Sequence, residues 1–168
     1  MIKPVLSTYK ILKEKAFNSD IDESWVDWAL EMMQAGFESD SLYQLAGISK
    51  PYNQFELQDL TNKVLKELHL DYSDKESAIR NYVYYLISNA IDAPEKYLET
   101  LRELKNICID LDMAKEYMDF YLLYFAKDDL LEIGSQHYWD GADSANIDTI
   151  IKEQFGLWKQ QFEAEIKS

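Results

Sequence analysis

Residues 53–70 read NQFELQDLTNKVLKELHL, with apolar side chains at positions 57, 60, 64 and 68. Steps of three and four put Leu57, Leu60, Val64 and Leu68 on one line of an α-helix, whereas a half-buried strand would need alternation. Asn53 stands before the run and Glu56 three residues further on, a capping-box arrangement with Asn in place of the usual Ser or Thr. The stretch predicts a helix from Gln54 to Leu70.

The same spacing extends in both directions. Upstream, a helix is expected from Lys3 to Asn18, with Pro4 in its first turn and Ile2, Val5, Tyr9, Leu12 and Ala16 along one face. A second begins after Asp20, carries Ile21, Trp25, Trp28, Met32 and Ala35 inward, and stops at Gly36. A short third runs from Ser39 or Asp40 to Ala46, closed by Gly47. Downstream, Ser73 with Glu76 caps a fifth helix reaching Asp92. Pro94 opens a sixth with Tyr97, Leu101, Leu104, Cys108 and Leu111 inward. The seventh spans Met113 to Ile133 and ends at Gly134. The last starts near Ser144 or Asn146 and turns Ile147, Ile150, Ile151, Phe155, Trp158, Phe162 and Ile166 inward. The fifth and seventh helices are apolar nearly all round, which places them at the centre. No stretch alternates as a strand would. The expectation is a single all-α domain over residues 1–168, a multi-helix bundle or short array of helical hairpins with seven to eight helices.

Composition agrees. Of 168 residues, 47% are hydrophobic and 14% aromatic, with five Gly and three Pro, too rich in core formers for a disordered chain and too poor in breakers for a turn-rich sandwich. A lone cysteine excludes an internal disulfide and any multi-cysteine zinc site, so a reducing cytoplasmic setting is expected. The longest uncharged stretch, Asn81 to Ile91, falls far short of the ~20 apolar residues a membrane span requires. Lys3, Lys10, Lys13, Glu14 and Lys15 interrupt any early apolar core of a secretory leader.

The stretch WVDWALEMMQAGFESDSLYQLAGI, Trp25 to Ile48, followed by NQFELQDLTNKVLKEL, Asn53 to Leu68, resembles an uncharacterised family of small acidic all-helical bacterial proteins. It covers about a quarter of the chain. The resemblance implies an association with toxin immunity or defence, and it brings no catalytic motif.

Catalytic and metal chemistries find little support in the spacing. Helical di-metal sites use Glu-x-x-His pairs, but Lys66 stands three residues before His69 and Gly134 three before His137. Glu56 with Asp59 and Glu116 with Asp119 supply only the second half of the carboxylate pattern of all-helical pyrophosphohydrolases. Residues 140–148, DGADSANID, lack the alternating ligands and sixth-position Gly of a calcium loop. Cys108 shares a stripe with leucines and has no histidine near it in sequence. His69 suits the last turn of its helix as a cation against the dipole. Neither metal nor cofactor is expected, and no enzymatic activity. Tyr82, Tyr84, Tyr85, Tyr117, Tyr121 and Tyr124 leave open a small-molecule module with a tyrosine-lined pocket, and a metal-dependent hydrolase is the remaining alternative.

Charge is the feature that stands out. The chain has 31 acidic and 17 basic residues, a net charge of −14. Between Lys15 and Lys50 there is no base but seven acids: Asp20, Asp22, Glu23, Asp27, Glu31, Glu38 and Asp40. Between Lys127 and Lys152 there are six: Asp128, Asp129, Glu132, Asp140, Asp143 and Asp148. Glu23, Asp27 and Glu31 repeat every fourth residue, a like-charge line that costs a few tenths of a kcal/mol per pair. Such a line implies a basic protein partner, and it disfavours nucleic acid, whose phosphates carry the same sign. The expected partner-binding residues are Glu23, Asp27, Glu31, Asp140, Asp143 and Asp148, with Tyr138 and Trp139 as aromatic anchors.

Overall fold

The computed structural model describes residues 4–167, so Ile2 of the expected first stripe and the expected start at Lys3 lie outside it. Helix makes up about 70% of the described residues, and no strand occurs among them. The elements in order are α1 (Thr8–Ala16), α2 (Glu23–Gln34), α3 (Asp40–Ala46), α4 (Gln54–Glu67), α5 (Lys75–Ala90), a 3₁₀ turn (Pro94–Lys96), α6 (Tyr97–Asp110), α7 (Lys115–Ile133) and α8 (Ile147–Lys167). They form two compact units, residues 1–82 and 83–168, which part within α5.

In the first unit α2 packs against α1 and α3, and α3 against α4. Trp25, Trp28, Met32, Leu42, Leu45, Leu57, Val64 and Leu65 form the core, with the two indoles edge to face at 5.8 Å. Three of these helices start on side-chain caps. Asp22 accepts from the Ser24 N–H, Ser39 from Leu42 and Asn53 from Glu56, so each satisfies an amide that has no partner within its helix. Gly36, at φ 101°, ends α2 as expected, and the Phe37 N–H returns to the Met32 carbonyl. At the end of α4 the left-handed position is taken by His69, φ 58°, with the Leu70 N–H closing on Leu65. The helix therefore stops at Glu67, short of the expected Leu70.

α1 departs most from expectation. Pro4 and Val5 precede it, with Leu6 and Ser7 in the turn that leads in, and its buried residues are Thr8, Ile11 and Lys15, not the expected line through Tyr9. Polar contacts set that face. The Trp28 Nε1 donates to Thr8 Oγ1 at 2.9 Å, and the Lys15 ammonium donates into α4. A cap also differs at α5. Asp74, not Ser73, accepts from Ser77, while Ser73 closes a turn on Asp71.

The second unit is built on α7, which packs along α6 and also meets α8. Its interior holds a cluster of rings among aliphatic side chains: the Phe155 ring lies 5.4 Å from Tyr97 and 5.7 Å from Phe120, and Trp158 stacks on Phe162 at 5.3 Å. Gly134, φ 77°, ends α7 in the left-handed conformation expected there. Pro94 opens a 3₁₀ turn, and α6 proper begins at Tyr97, whose hydroxyl donates to the Ile91 carbonyl at 2.6 Å.

Candidate functional site

All seven acids of the first base-free segment are exposed: Asp20, Asp22, Glu23, Asp27, Glu31, Glu38 and Asp40. The like-charge line on α2 is relieved from outside the segment. Lys50 forms an ion pair with Glu23, and the hydrogen bond with Glu23 followed by its charge raises the Lys50 pKa. Ser7 donates to Glu31 at 2.8 Å. Asp27 remains exposed between these two.

The second segment puts more of its acids to structural use. Asp143 closes the turn that leads into α8 by accepting from the Ala145 and Asn146 amides, and Lys127 holds Asp148 at 2.6 Å. Asp128, Asp129 and Asp148 are half-buried, while Glu132, Asp140 and Asp143 are exposed. Tyr138 and Trp139 are both half-buried. Gln136 fixes their backbone, its Oε1 accepting from both amides and its Nε2 donating to the Trp139 and Ala142 carbonyls. The Tyr138 ring lies against Phe125 and stacks with His137 at 4.4 Å. The two acidic segments belong to different units.

A feature that apolar periodicity does not register lies at α4. Gln54, Gln58 and Thr61 follow one another at helical spacing and together grip the end of α1 and the loop behind it. The Lys15 Nζ donates to Thr61 Oγ1 at 2.8 Å, to Gln58 Oε1 at 2.9 Å and to the Gln58 carbonyl at 3.3 Å. Its ammonium also sits 5.7 Å from the centre of the Trp25 ring. Lys15 is only 5% exposed, and among the described residues no carboxylate forms an ion pair with it, so burial lowers its pKa to about 8. Gln58 Nε2 donates to the Ser19 carbonyl at 3.1 Å. Gln54 accepts from the Ile21 amide at 2.7 Å and donates to the Ile21 carbonyl at 2.8 Å.

This clamp puts Asp20 beside α4, where it lines an open cleft of about 710 Å³ together with Phe55, Glu56 and Asp59. A second cleft of about 410 Å³ shares Glu56 and Asp59 and runs on past Tyr52, Leu60 and Lys63. Phe55 is 86% exposed, the most solvent-exposed large apolar side chain described. Its position carried a signal, because residue 55 lies off the line through 57, 60 and 64.

Of the tyrosine cluster, Tyr82, Tyr117 and Tyr124 are buried and Tyr84, Tyr85 and Tyr121 half-buried; neither cleft described above is lined by them. Tyr84 donates to Glu163 and Arg102 to the Tyr124 hydroxyl. Cys108 is fully buried, donates to the Ala114 carbonyl at 3.6 Å, and has its pKa raised by burial, which keeps it a thiol. Among the described residues no three His, Cys, Asp or Glu side chains gather as a cation would need, and no helix is long and apolar enough to cross a membrane. Compared with family models, curated proteins and solved structures, the chain gives no match.

Proposed function

We propose that this is a non-enzymatic binding protein of the bacterial cytoplasm whose acidic surface engages a basic protein partner, with an immunity or antitoxin-type inhibitor as its most concrete form. The observation that carries the reading is that all seven acids between Lys15 and Lys50 are exposed. Solvated carboxylates on one short stretch raise the local concentration of a basic partner and speed encounter, while a neutral or acidic partner gains nothing from them. An inhibitor of a nuclease needs this kind of face, since its target's surface is built to receive phosphates. Nucleic acid itself meets the same sign of charge.

The test begins with affinity capture from the source cell and identification of the bound protein. The purified partner is then titrated against the wild type and the variant Glu23→Gln/Asp27→Asn/Glu31→Gln. The variant is expected to associate roughly tenfold more slowly at low salt and to show a flatter dependence on ionic strength. Association rates within about twofold of wild type at every salt concentration would remove the acidic face from the account.

A further inference from the structure

We propose that the first turn of α4 is the docking point of the basic partner, with Phe55 as the anchor and Asp20, Glu56 and Asp59 as the receivers of its Lys or Arg side chains. The inference rests on the reading above and gives it a location. Phe55 has no structural duty in sight. The apolar contact that steadies a helix start falls to Leu57, which is buried, and to Tyr52, which packs against the core, while Phe55 is left 86% exposed. An isolated exposed aromatic is unremarkable in itself, but this one lies in a cleft of about 710 Å³ whose charged lining residues are Asp20, Glu56 and Asp59, all acidic. Aromatic side chains surrounded by polar groups are the usual anchors of protein interfaces.

The site is also held in advance of binding. Ser19 and Ile21, on either side of Asp20, are both hydrogen-bonded to α4, while among the described residues the Asp20 carboxylate has no partner of its own. The cleft wall therefore needs no ordering when a partner arrives. The positive end of the α4 dipole, about half a unit charge, opposes a cation here, yet three full carboxylates outweigh it. Lys63, at 3.3 Å from Asp59, is an exposed pair that a competing cation exchanges at little cost. The fitting occupant is a basic segment of another protein, with an arginine to lie on the Phe55 ring and further bases for the carboxylates. A second copy of this chain, at −14, repels itself.

The probe is a fluorescein-labelled helical peptide with arginines one turn apart, titrated into the full-length protein at low and physiological salt. Phe55→Ala, whose side chain is too exposed to support the core, is expected to weaken binding roughly tenfold. Asp20→Asn with Asp59→Asn is expected to weaken it as much and to flatten the salt dependence, whereas Glu132→Gln with Glu153→Gln, the same charge change elsewhere, should alter it less than about twofold. Circular dichroism confirms that each variant keeps its helix content. Wild-type binding that Phe55→Ala leaves unchanged, or that the distant pair weakens equally, would overturn the location and leave the acidic-surface reading standing. Absence of wild-type binding at low salt would overturn both.

Discussion

The two units solve the same packing problem with different materials. In residues 83–168 the interior joins aliphatic side chains such as Leu101, Leu104 and Ile151 to the rings of Tyr97, Phe120, Phe155, Trp158 and Phe162, and Thr100 is the buried polar residue described there. In residues 1–82 the interior also holds Thr8, Lys15, Ser41 and Thr61, and the helices are short, from seven to 16 residues with α5 counted. Hydrophobic packing is non-directional and fills space. Hydrogen bonds fix positions, and in the first unit they tie loops to helices: Gln54 and Gln58 hold the loop at Asp20, and Glu67 accepts from both the amide and the hydroxyl of Ser41, at 3.2 and 2.5 Å. The unit with the polar interior is also the one whose surface presents the seven exposed acids between Lys15 and Lys50 and Phe55. A cleft wall made of loop is held in place by the directional bonds behind it.

The largest effect expected is in the second unit, at its ring cluster. Phe155→Ala removes a ring with no exposure that touches Tyr97 and Phe120, and should cost about 4 kcal/mol by denaturant titration, while Phe155→Leu should cost roughly a third of that. The polar unit should fail differently. Thr61→Val keeps the volume but takes away the hydroxyl that accepts from Lys15, and should cost about 2 kcal/mol although no apolar contact is lost. If the swap proves neutral, the clamp does not hold the unit together.

A pH series sharpens the point. The Lys15 pKa is about 8 in the folded chain against 10.5 when unfolded, so below pH 8 both states carry the proton and the burial cost is felt in full. Between these values the folded chain releases its proton first, the unfolded state binds more protons, and stability rises with pH. Lys15→Met lacks that rise, so the wild type should gain on it by roughly 1 to 2 kcal/mol as pH goes from about 7.5 to about 10. A constant difference would show that the amine is solvated in the native state. Smaller still, Asp143→Ala should cost about 1 kcal/mol and speed amide exchange at Ala145 and Asn146, whose hydrogen bonds are lost. The smallest expected change is for Glu23→Gln/Asp27→Asn/Glu31→Gln, which should leave stability equal or a few tenths of a kcal/mol higher while slowing association.

How much of this the residues announce follows the same divide. Where an apolar stripe or a glycine decides the geometry, as at Leu57 to Val64, Gly36 and Gly134, local pattern and observed element agree. Where a polar contact decides it, pattern misleads. The face of α1 turns by one residue because Lys15 reaches three oxygens on α4, and a lysine in a sequence reads as solvated until its partners are known. His69, Asp112 and Met113 adopt left-handed backbone at helix ends with no glycine to mark them, and Asp74 takes the cap that Ser73 seemed to offer. The acids on α2 were legible as a group, and their exposure agrees with that reading. The loop that brings Asp20 to Phe55 was not legible, because it depends on glutamines, whose hydrogen bonds leave no periodic trace.

Amide chemical-shift mapping by ¹H–¹⁵N correlation spectra, during titration with the arginine-rich peptide, tests the central claim most directly. The account predicts shifts concentrated at Asp20 and at Phe55 to Asp59, trailing along α2 from Glu23 to Glu31. Shifts concentrated instead between Gln136 and Asp148, around Tyr138 and Trp139, or scattered over every acidic side of both units, would contradict it.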